Sequence, residues 1–216
     1  SDKVEIIENN ETTTIETNDP FVELKKLLGK SDDQKYRYLG GAVGVVNYDS
    51  IRLVENISEE NNLTQPIMEF GIYDDGLLYD NVEKKLFYFY HDVNRFDKLI
   101  VSDDSFDKFH SSEVTPNMNK EKFSSIVNKA KQYIHDGDIF QVVLSRKFAF
   151  DTSGDNLTLY KTLRKLNPSP YMYHLKQDSK TIIGASPEML VRITDDKVET
   201  FPIAGTRKIT DNEEKN

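Results

Sequence analysis

Hydrophobic residues recur at every third or fourth position in three stretches of the chain, and this spacing places them on one face of a helix. The first stretch begins at Asp19 and Pro20 and ends at Gly29, the second begins at Asn119, and the third covers residues 157–166. Asp, Asn and Pro commonly start helices, whereas Gly commonly ends them. The pattern therefore predicts three helices.

Runs of β-branched, aromatic and aliphatic residues predict strands in the rest of the chain. They cover residues 4–8, 40–48, 70–78, 85–90, 139–150, 171–176, 181–184, 189–193 and 198–203. A loose connection is expected before the first helix, a hairpin turn around Asp80 and Asn81, and a surface connection over residues 91–118. Strands interrupted by a few helices, without regular β-α-β alternation, predict an α+β fold with large antiparallel sheets and helices packed outside them.

The composition indicates a globular chain, because 37% of the 216 residues are hydrophobic and 11% are aromatic. Its net charge of -9 repels phosphate groups, so we expect no binding to nucleic acid. No apolar run approaches the roughly 20 residues that span a membrane, and the N-terminus lacks a secretory pattern. These features predict a cytoplasmic protein that does not bind membranes.

The chain contains no Cys, which excludes disulfides, thiolate catalysis and Cys-based metal sites. It begins with Ser1 rather than Met, and its last seven residues are all polar. We therefore expect both ends to be cuts within a longer sequence.

Short motifs for binding nucleoside phosphates, zinc or calcium are absent from the sequence, and the four His residues lie far apart. The glycines at 40, 41 and 44 lack the dinucleotide-binding spacing and predict tight packing within a sheet. Taken alone, residues 167–170 predict a rigid loop that leads into a strand, because two prolines fix the backbone. Taken alone, Glu188 is either a solvated carboxylate at a sheet edge or one held in a cleft.

Four segments of the chain occur in the order seen in chorismate-utilising enzymes. They are residues 138–146 (DIFQVVLSR), 167–172 (NPSPYM), 184–188 (GASPE) and 202–207 (PIAGTR). Together they closely resemble anthranilate synthase component I, and the segment GGAVG at 40–44 extends the resemblance upstream. The resemblance implies an incomplete chorismate-binding fold, with part of an N-terminal lobe at 1–110 and the start of the catalytic region at 111–216.

Two positions distinguish among members of the resembled family. Relatives that add water to chorismate have a lysine general base where this chain has Gln141, and an amide cannot take a proton. Relatives that make 4-amino-4-deoxychorismate have a nucleophilic lysine where this chain has Ala204. The resemblance therefore implies the anthranilate synthase reaction. An aminodeoxychorismate synthase component I and a non-catalytic tryptophan-binding or assembly fragment stay open as alternatives.

The resemblance also assigns site residues in this chain. Glu188 would be the general acid that protonates the C4 hydroxyl of chorismate as it leaves, with Gln141 beside it in the catalytic site. Gly205 and Thr206 would line the chorismate site, with a backbone N–H and a hydroxyl available to a substrate carboxylate.

A feedback site for tryptophan is implied at Pro170, Tyr171 and Met172, where an aromatic ring and a thioether suit an indole. The family's Mg²⁺ ligands, catalytic histidine and carboxylate-binding arginine follow the PIAGT motif, so none of them is assigned here. We expect Mg²⁺ as cofactor of the complete enzyme and inactivity of the chain alone. Ammonia would come from a glutamine amidotransferase subunit, because glutaminase chemistry needs a cysteine.

Overall fold

The structure is a computed structural model that divides into two compact units, Ser1–Ser102 and Asp103–Asn216. It describes residues 3–29, 36, 38–57, 65–100, 108–177, 180–205 and 208–210. We expected the boundary after residue 110, and the two compact units divide after Ser102. The roles assigned to the two expected lobes stay a prediction.

The N-terminal unit consists of hairpins and one helix. Its elements are β1 (Lys3–Glu8), β2 (Glu11–Glu16), α1 (Pro20–Leu27), β3 (Gly41–Val46), β4 (Met68–Tyr73), β5 (Asp75–Asp80) and β6 (Lys85–Tyr90), with 3₁₀ turns at Tyr48–Leu53 and Phe96–Lys98. The expected first helix is confirmed: the Asp19 carboxylate accepts hydrogen bonds from the N–H groups of Phe21 and Val22. A side-chain acceptor at this position satisfies N–H groups that have no partner within the helix.

The loose connection expected before α1 is wrong, because β2 pairs with β1 along its whole length. Asn9 and Asn10 join the two strands with φ angles of 51° and 67°. Two consecutive left-handed residues form the tight turn that matches the twist of a hairpin, and Asn tolerates this conformation. The threonines that follow are β-branched and suit a strand.

The strand expected at 70–78 is two strands that break at Asp74, one paired with β3 and the other with β6. The hairpin turn expected at Asp80 is confirmed, and the Asp80 carboxylate accepts hydrogen bonds from the N–H groups of Val82 and Glu83. Close packing is confirmed at Gly44, where a Cβ atom would collide with the main chain of Glu69 on β4.

The C-terminal unit contains the other two expected helices and the remaining strands. Its elements are β7 (His110–Ser111), β8 (Thr115–Pro116), α2 (Lys120–Asp136), β9 (Phe148–Ala149), β10 (Thr152–Ser153), α3 (Asn156–Leu166), β11 (Tyr171–Gln177), β12 (Lys180–Ser186), β13 (Arg192–Thr194) and β14 (Lys197–Glu199). Asn119 caps α2 through the Lys122 N–H, and Gly137 ends it with a φ of 83°. Asp155 caps α3 through the Leu157 N–H.

The long strand expected at 139–150 is wrong except at β9. A strand requires a partner for its main-chain hydrogen bonds, and the structure gives residues 139–147 no ladder. The high β propensity of this segment could not supply that partner. Its downstream end is held by Lys147, whose C=O accepts a hydrogen bond from the Asn117 N–H.

The α+β class is confirmed, with seven antiparallel ladders of two strands each among the described residues. These ladders are smaller than the large sheets that we expected. No described hydrophobic side chain is buried, and the buried class contains only Glu23, which is 8% exposed.

The exposure of Leu77 on β5, which is 54%, supports a prediction about the N-terminal unit. We expect Leu77→Ser to change the free energy of unfolding by less than about 0.5 kcal/mol, because substitutions at exposed positions have small effects. Urea titration followed by circular dichroism measures the change. A large loss of stability would contradict the exposed position of this side chain.

Candidate functional site

The β11–β12 hairpin brings together two of the four motif segments. Its register pairs Tyr171 with Ser186, so residues 167–172 end beside residues 184–188. Helix α3 packs against this hairpin, and the ring of Tyr160 lies edge-on to His174 with the ring centroids 5.9 Å apart. The ladder and the helix therefore fix the point where β12 ends and Glu188 follows.

A local turn sets the main-chain direction at Glu188. The Ser186 hydroxyl donates a hydrogen bond to the Glu188 C=O at 3.0 Å, and the Glu188 N–H donates one back to the Ser186 Oγ at 3.4 Å. Serine commonly bonds the backbone two residues ahead in this way. The side chain of Glu188 leaves this turn exposed to solvent.

The Glu188 carboxylate joins a third motif segment to the site. Its Oε1 accepts a hydrogen bond from the Ile203 N–H at 3.0 Å, across 15 residues of chain. Ile203 lies in the segment PIAGTR, two residues before Gly205. A hydrogen bond to an ionised acceptor is roughly twice as strong as a neutral one. The acid predicted from sequence is therefore in contact with the segment predicted to bind chorismate.

The residues between Glu188 and Ile203 form the β13–β14 hairpin, in which Arg192 and Glu199 are paired across the ladder. The Arg192 Nε and Nη2 lie 2.9 and 2.8 Å from the Glu199 Oε2, and the Lys197 Nζ lies 2.9 Å from its Oε1. The hydrogen bonds from Lys197 and Arg192 hold the pKa of Glu199 below its ordinary value of 4.5. Both oxygens of this carboxylate are therefore engaged by cations.

Gln141, Gly205 and Thr206 complete the predicted catalytic and chorismate sites. Gln141 is exposed in the segment without regular structure, and no hydrogen bond joins it to Glu188 among the described residues. Gly205 is also exposed, and a Cβ atom there would meet nothing within 4 Å. Thr206 lies outside the described residues. The structure thus gives a contact for Glu188, while the roles of all four residues stay predictions.

The residues predicted to bind tryptophan do not share one face of β11. Successive strand residues face opposite sides of a sheet. Tyr171, which is 41% exposed, lies on the same side as Tyr173, whereas Met172 lies on the side of His174, which contacts α3. Pro170 precedes the strand and is exposed. A ligand contacting both side chains would have to lie against the start of the strand, and this binding site stays a prediction.

Sequence reasoning missed the Ile203 main chain and the Arg192–Glu199 pair. The pair left a signal, because Arg192 and Glu199 stand equally far from the turn Asp195-Asp196, and residues so placed in a two-residue hairpin lie opposite each other. The contact of the Ile203 N–H left no signal in the sequence, because every residue except proline carries a main-chain N–H donor.

The described residues do not fit a magnesium site. Mg²⁺ binds oxygen ligands, and within the described ranges no group of three His, Asp or Glu side chains is placed to hold an ion. No helix in the described part of the chain is long and apolar enough to cross a membrane.

Comparison with known proteins agrees with this fold and these motifs. Residues 2–216 match the family described as chorismate binding enzyme. The chain therefore belongs to the chorismate-binding enzyme family. It is 38% identical to anthranilate synthase component 1 of Acetivibrio thermocellus, covering 88% of this chain and 45% of the relative. It is 40% identical to anthranilate synthase component 1 of Saccharolobus solfataricus, covering 79% of this chain and 40% of the relative.

A solved structure gives the same result. The crystal structure of anthranilate synthase component I from Streptococcus pneumoniae matches with a TM-score of 0.67 and 27% identity, covering 90% of this chain and 50% of that one. The resemblance stated from the motifs is therefore confirmed. The chain spans about half the length of this structure and somewhat less of the two curated relatives.

The cross-strand pair of Gly184 and Tyr173 supports a prediction about the hairpin that carries the site. A Cβ atom at Gly184 would collide with the Tyr173 ring. We expect Gly184→Ala to lower the free energy of unfolding by about 1 kcal/mol, because the ring must move away. Urea titration measures the change. In the background of Tyr173→Ala the same substitution should be neutral, and an equal loss in both backgrounds would contradict the contact.

The lowered pKa of Glu199 predicts a pH dependence of the β13–β14 ladder. A carboxylate with a depressed folded-state pKa stabilises the folded state above its unfolded value of 4.5, and this contribution disappears as the pH falls through the folded value. Glu199→Gln should therefore lower the hydrogen-exchange protection factors of the ladder amides at pH 7, and the difference from the wild type should vanish near pH 2. A difference that persists at low pH would contradict this origin.

Proposed function

We propose that the chain forms the chorismate-binding part of an anthranilate synthase large subunit, a lyase that acts in the first step of tryptophan biosynthesis. Its reaction converts chorismate and ammonia to anthranilate and pyruvate. The proposal is supported by the relatives named anthranilate synthase component 1. It rests most directly on the contact of Glu188 with Ile203, because this contact joins the predicted acid to the predicted substrate-binding segment.

In the proposed mechanism Glu188 protonates the C4 hydroxyl of chorismate as ammonia attacks C2, and the hydroxyl leaves as water. The C2–H proton is then removed, the C–O bond to the enolpyruvyl group breaks, and this group takes up a proton and leaves as pyruvate, which gives the aromatic product. A positioned general acid accelerates such a step by roughly 10²–10⁴-fold. Once Glu188 has given up its proton, the Ile203 N–H donates to the carboxylate that remains and stabilises it.

Ammonia is the proposed nucleophile because this chain lacks the two lysines that support other nucleophiles in the resembled family. Gln141 has no basic group with which to activate water, and Ala204 has no amine to attack chorismate. We further propose that the Gly205 N–H and the Thr206 hydroxyl bind a substrate carboxylate. These roles are consistent with the position of both residues in the segment whose Ile203 N–H donates to Glu188.

The remaining partners are proposed from the family relationship. A glutamine amidotransferase subunit supplies ammonia, because this chain has no cysteine for that chemistry. Mg²⁺ held by other residues of the complete enzyme would supply positive charge to the substrate carboxylate. Tryptophan acts as feedback inhibitor at Pro170, Tyr171 and Met172, and the enzyme works in the cytoplasm.

The test is a product assay with chorismate, Mg²⁺ and ammonium on the reading frame carried to its natural ends, with the 216-residue chain in parallel. We expect fluorescent anthranilate from the long form only. Glu188→Gln should lower kcat by roughly 10²–10⁴-fold, because an amide cannot donate this proton as an acid. Glu113→Gln, a change at an exposed residue, is the control and should retain full activity.

The product distinguishes the alternatives. Formation of 4-amino-4-deoxychorismate instead of anthranilate would establish the aminodeoxychorismate synthase activity. Thermal stabilisation by tryptophan without any turnover would establish the non-catalytic binding fragment. Full activity in Glu188→Gln would exclude the role of this residue even if anthranilate forms.

A further inference from the structure

The chain between Glu188 and Ile203 is a closed loop, which we call the Glu188 loop (residues 188–203). The Glu188–Ile203 hydrogen bond closes its ends, and the β13–β14 ladder pairs its two arms. Between these contacts the Thr200 hydroxyl donates to the Leu190 C=O at 3.1 Å. The position of the Ile203 N–H therefore depends on how the second arm is held against the first.

Arg192 makes two different contacts with the second arm. Its guanidinium binds the Glu199 carboxylate through two nitrogens, and it also lies over the Phe201 ring, with Cζ 5.9 Å from the centroid. A cation within about 6 Å of an aromatic centroid is attracted by the ring face. Phe201 stands two residues before Ile203, so this contact reaches to the end of the loop.

The contact between Arg192 and Glu199 is partly shielded from water, whereas Phe201 is 57% exposed. The side chains of Arg192 and Glu199 are 24% and 19% exposed, whereas that of Lys197 is 72% exposed. An exposed ion pair contributes little because water and salt screen it and both side chains lose freedom. The fork of Arg192 is thus better suited than Lys197 to hold the second arm.

We propose that Arg192 is a positioning residue for Glu188: by binding Glu199 and Phe201, it holds the second arm so that the Ile203 N–H stays on the Glu188 carboxylate. The catalytic meaning of this contact rests on the proposed function, because Glu188 is the acid only in that reaction. The hydrogen bond between the Ile203 N–H and the Glu188 carboxylate does not depend on the proposed function. A lysine cannot replace Arg192, because a single ammonium group lacks the planar fork that binds the Glu199 carboxylate while lying over the Phe201 ring.

The test follows the Ile203 amide proton of the ¹⁵N-labelled chain by NMR between pH 3 and pH 7. The chemical shift of an amide that donates to a carboxylate changes as that carboxylate ionises. The part of the Ile203 shift change that is lost in Glu188→Gln is therefore the part due to Glu188. We expect Arg192→Met and Arg192→Lys to reduce the amplitude of this titration roughly twofold or more, because the closed loop loses population. Lys197→Met removes the other cation from Glu199 and is the matched control, with the amplitude of the wild type.

A second readout uses the active enzyme. There, Arg192→Met should lower kcat roughly tenfold with KM unchanged, because a displaced proton donor affects the transition state more than substrate binding. Failure of the wild type to form anthranilate would count against the proposed function alone, since the amide titration needs no turnover. A wild-type Ile203 amide that does not follow Glu188, or equal amplitudes in Arg192→Met and the wild type, would overturn the positioning role.

Discussion

Antiparallel strand pairing supplies hydrogen-bonding partners to the main-chain N–H and C=O groups of the described strands. No described hydrophobic side chain is fully buried, and packing between elements, such as that of α3 on the β11–β12 hairpin, adds to this pairing. Six of the seven ladders among the described residues join consecutive strands, and the seventh pairs β7 with β10. The β7–β10 and β8–β9 ladders together join the two ends of the segment that contains α2.

The placement of the site follows from this pairing. The β11–β12 ladder sets residues 167–172 beside 184–188, and the β13–β14 ladder returns the chain so that residues 202–205 reach Glu188. The segment with Gln141 has no ladder and no comparable contact. Three motif segments are therefore brought together by two local hairpins and by the Glu188 carboxylate, which accepts the hydrogen bond from the Ile203 N–H.

The sequence predicted those features of the fold that depend on contacts between residues close together in the chain. Asp19 and Asn119 each supply a cap oxygen to a nearby N–H, so the starts of two helices could be read directly. The segment 139–147 has strand propensity but no partner, and propensity does not report whether a partner exists. The contact of Glu188 with Ile203 uses a donor common to nearly all residues. Family resemblance could therefore identify Glu188, but only the fold could identify what it touches.

Two carboxylates of the Glu188 loop differ in their contacts. Both oxygens of Glu199 are engaged by Arg192 and Lys197, and the hydrogen bonds from these cations lower its pKa. Glu188 has one oxygen on a neutral main-chain donor, no cation within the described contacts, and an exposed side chain. Glu199 is therefore held within the loop by two cations, whereas Glu188 is an exposed carboxyl group with one main-chain contact, as expected of a residue that we propose to act on a substrate.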